Sequence, residues 1–269
     1  MSESVSSESK RSRRVEPVPE NTAEEVFDPR TVARRGLAVW LALGPVCAGL
    51  GFLGWLRMAA GLDPSPTGRT SLLLLTMDAL LSLQFALSHS LFARGFGRRL
   101  LNRPFGPAAE RPLYVFITGL SLCLLVLAWQ PTGPVMWNWT GWARPISWVL
   151  QVGGLTLVAW GGFVVGSAQL FGLPHLKALE TGRREPQAEF TALPPYSVLR
   201  QPINLGFLLI LAGMPEMRPD RLVMGLTFAA WIVLAAPIEE RDLEIEFDGY
   251  GSYRERTPRW IPRWRARER

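Results

Sequence analysis

The sequence predicts an all-α protein: a polytopic transmembrane helix bundle of about six spans, the fifth short and paired with the sixth. Three observations predict it. Several windows of about 18–25 residues carry almost no charge, the length needed to cross a hydrocarbon core of about 30 Å. Many of the 11 tryptophans lie near the ends of these windows, where an apolar ring with a polar N–H suits the headgroup boundary. Basic residues concentrate in alternate loops, the asymmetry that orients membrane proteins. The averages decide less: 48% apolar residues and a mean hydropathy of +0.13 also fit a soluble domain.

Residues 1–30 are rich in Ser, Glu, Arg and Pro. They cannot bury enough apolar surface to offset chain entropy, which predicts a disordered cytoplasmic tail. They are no signal peptide, because the first apolar run begins late, near Gly36, and is too long. The predicted spans are Gly36–Ala60, Ser71–Phe92, Pro112–Trp129, Ile146–Phe171, Ile203–Met214 and Leu222–Ile238. Met214-Pro-Glu-Met-Arg-Pro-Asp220 is the turn between the last two, since two prolines and charges cannot continue a helix. The transmembrane domain is thus expected over 31–258, followed by a basic aromatic tail, 259–269, lying on the anionic leaflet.

With six spans, the N-terminal tail, loops 93–111 and 172–202 and the C-terminal tail share one side. They hold seven, five, four and eight of the 29 basic residues; the other side holds Arg57, Arg69, Arg144, Arg218 and Arg221. That places both ends in the cytoplasm. It also requires the fifth window to cross, or loop 172–202 and the C-terminus would part.

Several classes are disfavoured. The net charge of +6 flanks apolar segments and has no soluble domain to carry a groove, so no nucleic-acid partner is expected. Cys47 and Cys123, both inside apolar windows, make no disulfide framework. No metal-ligand cluster, Walker loop, GxSxG or HExxH occurs.

Polar residues within the spans are the candidates for function. Asp78, Ser82 and His89 fall on one face of the second span. Such groups are costly in lipid, so they face a bundle interior or a cavity. They read either as a pocket wall with a proton-handling group or as an interhelical hydrogen-bond cluster. His175 lies in a loop and reads as structural. Glu239, Glu240, Asp242 and Glu244 put four acids at the cytoplasmic mouth, against the positive bias of that side. They require either arginine partners such as Arg200, Arg254 or Arg256, or a cationic ligand. Tyr250 and Tyr253 share a helix face and read as interfacial anchors.

Read in order, Phe85-Ala-Leu-Ser-His89-Ser, Glu110-Arg-Pro-Leu-Tyr114, Trp129-Gln-Pro131, Leu170-Phe-Gly-Leu173, Pro195-Tyr196…Arg200-Gln-Pro-Ile-Asn204, Glu239-Glu-Arg-Asp242 and Tyr250-Gly-Ser-Tyr253-Arg254 resemble a known family. It is that of the membrane methyltransferases related to isoprenylcysteine carboxyl methyltransferase, above all their methanethiol S-methyltransferase and NnrU-related branch. The resemblance covers about residues 70–260. It implies a bundle whose C-terminal helices bind S-adenosylmethionine near the cytoplasmic face of a bacterial inner membrane. The family motif Arg-His-Pro-x-Tyr, followed by Glu-Glu, maps onto Arg200, Pro202, Glu239 and Glu240, with Gln201 at the His position and Asn204 at the Tyr position. The implied cofactor-binding set is Arg200, Gln201, Asn204, Glu239, Glu240, Tyr250, Tyr253 and Arg254. Arg200 would pair with the donor carboxylate, and the two glutamates with its ammonium or ribose. His89 is the implied catalytic residue, accepting a thiol proton. The acceptor would be a small thiol or another small hydrophobic, lipid-soluble molecule. The alternatives are a non-catalytic relative, suggested by Gln201 and Asn204, and a small channel or transporter, suggested by the Asp78–His89 face.

Overall fold

The computed structural model describes residues 29–63, 70–183 and 190–262, with backbone alone at 29–32, 96 and 102–105. The Ser-rich segment before residue 29 and the basic end after residue 262 lie outside the described residues. The chain is a helical membrane bundle, as its sequence predicts. Five helical stretches among the described residues are long and apolar enough to cross a bilayer, and a shorter apolar helix joins them.

The first stretch is α1 (Pro29–Leu41) running into α2 (Leu43–Ala59). Its described part begins at Pro29, ahead of the apolar run near Gly36. α3 (Leu72–Phe92) is capped by Ser71, whose side chain accepts from the Leu74 N–H. α4 (Gly95–Phe105) follows and leads into α5 (Glu110–Ala128). α6 (Arg144–Val165) stops short of the predicted Phe171, because Gly166 turns the chain at φ 96° into the short α7 (Ser167–Leu170) and α8 (Leu173–Thr181). α9 (Pro202–Ala212) is the short helix, and α10 (Pro219–Glu246) the longest. α10 continues through Pro237 for two further turns, so its acidic stretch is helical rather than a frayed end. α11 (Tyr250–Arg256) closes the array.

Close packing follows the small residues. A Cβ on Gly119 would stand 2.7 Å from the Gly44 carbonyl oxygen, so α2 and α5 touch backbone to backbone. α9 lies beside α10 but presses hardest on α6. There Gly154 and Gly206 face each other, and a Cβ on either would come within 2.5–2.6 Å of the other's carbonyl. The glycines of 153–154 and 161–162, open in sequence to intrachain or dimer packing, divide: Gly154 and Gly161 meet α9 residues, while Gly153 faces open space.

The two ends of the bundle differ. At one end β1 (Trp137–Asn138) pairs antiparallel with β2 (Glu216–Met217), joining the α5–α6 and α9–α10 connections. Buried Arg218 and Arg221 both bind Asp63 from the α2–α3 connection, and Asp220 accepts from Trp129 Nε1 at 3.2 Å. Asp78 belongs to this end: its Oδ1 accepts from the Gln130 N–H at 3.2 Å, a helix-to-loop tie. At the other end lie α4, α7, α8, α11 and the arginine-rich loops. α9 has 11 residues and spans only about 16 Å. The irregular segment 190–201 precedes it and lines a large cavity, the setting in which non-helical backbone is tolerated in a membrane.

Candidate functional site

Three elements pass from an apolar cavity to a polar one within a single turn. On α3, His89 lines the apolar cavity and Phe92 and Ala93 the polar one. At the start of α9, Asn204 lines the first and Arg200, just before the helix, the second; on α10, Glu239 lines the first and Leu243 the second. The cavities are therefore neighbours stacked along the bundle axis.

The apolar cavity measures about 160 Å3. Phe52, Trp55, Phe85, Phe207, Phe228 and Trp231 give it an aromatic lining. Their polar partners are few: Trp231 Nε1 donates to Ser90 Oγ at 2.6 Å, and His89, Asn204 and Glu239 stand at the end nearest the polar cavity. His89 stacks on Phe85, with centroids 5.7 Å apart. Its Nδ1 is 3.1 Å from the Tyr114 hydroxyl, and Tyr114 lines the polar cavity. Arg111 lies over the Tyr114 ring at 5.0 Å, fixing its other face. The His89–Tyr114 pair thus stands in the partition between the two spaces.

The polar cavity measures about 870 Å3, within the range of cofactor sites. Phe190, Tyr250 and Tyr253 pack mutually edge to face, with centroids 5.2–5.7 Å apart, and present a cluster of rings. Tyr253 donates to the Tyr196 carbonyl at 2.7 Å, which holds α11 against the loop. Burial pushes the Tyr250 hydroxyl up to about 12, so it stays neutral. Arg98, Glu110, Arg111, Arg200 and Glu246 supply charge of both signs. His175 also lines this space; its Nδ1 is buried without a hydrogen-bond partner, and burial, then nearby Arg111, hold it below its ordinary value. It is a neutral imidazole with an unused polar atom.

The glutamate pair divides by helical geometry, since neighbours on a helix point about 100° apart. Glu239 accepts from Asn204 Nδ2 at 3.2 Å and lies 4.0 Å from Arg94, which also reaches Asp242 at 3.7 Å. Glu240 is buried and takes two bonds from Arg200, at 3.0 Å each, and two from Arg259, at 3.0 and 2.7 Å. Arg200 also donates to the Thr257 carbonyl at 2.7 Å, and the Arg200 N–H donates to the Pro258 carbonyl at 2.9 Å. Residues 257–259 are consequently strapped across the start of α9. These bonds to Glu240 hold the Arg259 guanidinium above its ordinary value.

The structure brings His89, Asn204 and Glu239 to one cavity and Arg200, Tyr250 and Tyr253 to the other. Gln201, Glu240 and Arg254 line neither. Gln201 accepts from Asn204 Nδ2 at 2.6 Å, and Arg254 donates to Glu244 at 2.6 Å on the surface. Tyr114 and Phe190 line the polar space although neither is among the predicted site residues, and so does His175, which the sequence reads as structural. Tyr114 lies within a motif quoted for the resemblance, but only its contact with His89 distinguishes it. The sequence reads His175 as a structural loop residue; the structure corrects this, placing it on α8, where only its surroundings give it meaning. Among the described residues, no group of three or more His, Cys, Asp or Glu side chains is placed to hold a metal.

Similarity to known proteins covers most of the chain. The chain is 33% identical over 230 residues to methanethiol S-methyltransferase 2 of Bradyrhizobium diazoefficiens, covering 82% of this chain and 85% of that one. It is 30% identical over 180 residues to the methanethiol S-methyltransferase of Mycobacterium tuberculosis, covering 66% and 74%. It is also 33% identical over 184 residues to nurim of Mus musculus, covering 65% and 70%. No family model and no solved structure matches the chain.

Proposed function

The chain belongs to the membrane protein family that contains the methanethiol S-methyltransferases and nurim, of isoprenylcysteine methyltransferase type, and we propose that it is itself a methyltransferase that moves a methyl group from S-adenosylmethionine to a small thiol of the methanethiol class. The observation that carries this reading is the pair of adjoining cavities, one polar and cofactor-sized, one apolar and small, meeting at His89–Tyr114.

The polar cavity suits the donor in kind. Phe190, Tyr250 and Tyr253 offer faces and edges to a purine. Arg111 can receive a carboxylate and Glu246 an ammonium, while Arg200, whose guanidinium is held by Glu240 and the Arg254 and Thr257 carbonyls, shapes the wall between them. The orphaned Nδ1 of His175 offers an acceptor or donor for a ribose hydroxyl. Bound there, S-adenosylmethionine supplies a methyl group already activated on a cationic sulfur.

The chain's own residues do the rest. The aromatic wall excludes water and holds the acceptor. His89, oriented by Tyr114, takes the thiol proton as the sulfur becomes nucleophilic. Glu239, with Asn204, sets a negative group beside the junction, where a cationic donor is favoured. Glu240, Gln201 and Arg254 support the site from outside: Glu240 through the Arg200–Arg259 strap, Gln201 by orienting Asn204, and Arg254 through Glu244. The donor cavity lies at the arginine-rich end, which we place at the cytoplasmic face.

The test is calorimetric titration of the full chain in detergent with S-adenosylmethionine, beside His175→Asn and Tyr250→Leu. Saturable binding weakened in both variants supports the reading. No binding at millimolar donor to folded protein would overturn it and favour a non-catalytic relative, to which the mutual bond of Gln201 and Asn204 would then belong as an inert remnant.

A further inference from the structure

We propose that the apolar cavity accommodates one aromatic ring, so that monocyclic arenethiols of the benzenethiol class are methyl acceptors alongside small alkanethiols. This rests on the methyltransferase reading and deepens it, because it names the acceptor class from the cavity rather than from the relatives.

Size is the first argument. The cavity measures about 160 Å3, and an engineered apolar cavity of about 150 Å3 in another protein stays dry and binds benzene. A single ring fits that volume. Lining is the second. Trp55 and Phe207 meet edge to face with centroids 5.7 Å apart, and Phe85 and Phe228 do the same at 5.7 Å. The wall therefore offers ring edges and ring faces together, the two partners an aromatic guest prefers. A sulfur atom gains further from aromatic contact. Polarity is the third. Among the described residues, the ionisable groups that line it are His89 and Glu239, which stand with Asn204 at the end next to the polar cavity. A guest with one polar atom is oriented by that asymmetry: ring among the aromatics, sulfur at the partition.

The chemistry favours the same guest. An arenethiol delocalises thiolate charge into its ring, so it loses its proton more readily than an alkanethiol where water is scarce. The S–H proton passes to His89. The acceptor sulfur bonds to the methyl carbon, and the donor's methyl–sulfur bond breaks with its electron pair remaining on the donor sulfur. The products are an aryl methyl thioether, S-adenosylhomocysteine and one proton, with no oxidant or reductant required.

The experiment uses the full chain in detergent and two independent cavity-filling variants, Ala86→Leu and Ala235→Leu, each checked for a near-native melting curve. Fluorobenzene is the probe, its binding read by 19F line broadening without donor, and benzenethiol is the competitor. Methyl transfer to benzenethiol and to methanethiol is then followed with labelled S-adenosylmethionine. The expected result is displacement of fluorobenzene by benzenethiol, formation of methyl phenyl sulfide, and a loss in each variant of about tenfold or more in kcat/KM for benzenethiol, larger than for methanethiol. Methanethiol turnover without benzenethiol turnover, or fluorobenzene that is not displaced, would overturn the inference and leave the methyltransferase reading standing. Displacement without any donor binding would remove that reading, and the acceptor role with it.

Discussion

The Tyr114 hydroxyl stands 3.1 Å from His89 Nδ1, and the two residues line different cavities. One hydrogen bond therefore joins the wall of the small apolar space to the wall of the large polar one. It fixes the imidazole ring of His89 between Phe85 on one side and Tyr114 on the other.

Removing the Tyr114 hydroxyl is expected to slow turnover while leaving donor affinity intact. In Tyr114→Phe the ring and its Arg111 contact remain, so the change isolates the bond to His89. His89→Ala should cost about 10²–10⁴ in kcat, the range of a general base, and Tyr114→Phe less. Steady-state kinetics over a pH series, with calorimetry of the donor, checks both. Equal donor affinity with unchanged kcat in Tyr114→Phe would end its positioning role.

Glu240→Ala should destabilise the protein by about 3 kcal/mol, because it leaves the Arg200 guanidinium without its partner in a buried setting. Arg259→Ala should cost less, since that side chain is 32% exposed and water replaces much of the interaction. Limited proteolysis should show residues 257–262 released in Glu240→Ala and thermal melting should rank the two variants. Equal melting temperatures would mean that the strap does not depend on Glu240.

Gly206→Val is expected to separate α9 from α6. A Cβ there would lie 2.6 Å from the Gly154 carbonyl oxygen and 2.8 Å from Val158, so backbone must move, at a cost of about 1–3 kcal/mol or more. Gly153→Val, which meets nothing within 4 Å, is the matched control. Unfolding in a graded detergent mixture should distinguish them, and similar stabilities would contradict the intrachain role of the glycine pair.

Acidification should weaken the polar-cavity end through His175. Its folded value lies below the ordinary 6.5, held down by burial and by Arg111 and raised only in part by Glu110. The unfolded chain therefore binds the extra proton first, and stability falls as pH drops from 6.5 towards the folded value. The sign is that of a histidine kept neutral by the fold. Melting temperature against pH, compared between the wild type and His175→Asn, measures it; identical slopes from pH 7 to pH 5 would remove this contribution.

Much of the bundle is legible in the sequence because each transmembrane helix must satisfy its own backbone hydrogen bonds in lipid. Windows without charge therefore report helices almost directly, and the α9–α10 turn is visible in Pro215 and Pro219. Boundaries are less legible. α10 passes through Pro237 and stays helical to Glu246, since Arg94, Arg200 and Arg259 neutralise its acidic stretch from other elements. α6 ends early at Gly166, where an apolar run continues but the backbone turns.

The site is legible in part. His89 and Glu239 are found from their cost in an apolar setting, and Arg200, Tyr250 and Tyr253 from their order along the chain. Glu239 and Glu240 look equivalent in sequence, yet the helix turns one towards Asn204 and the other towards Arg200 and Arg259. The sequence by itself determined the class of the protein, its five long apolar helices and its family, because those follow from local composition and from the order of motifs. Only the tertiary structure decided that Tyr114 meets His89, that His175 faces a cavity and that two spaces of opposite character adjoin. Those facts depend on which helix faces pack together, and the packing joins residues from α3, α5, α9 and α10 that no local pattern relates.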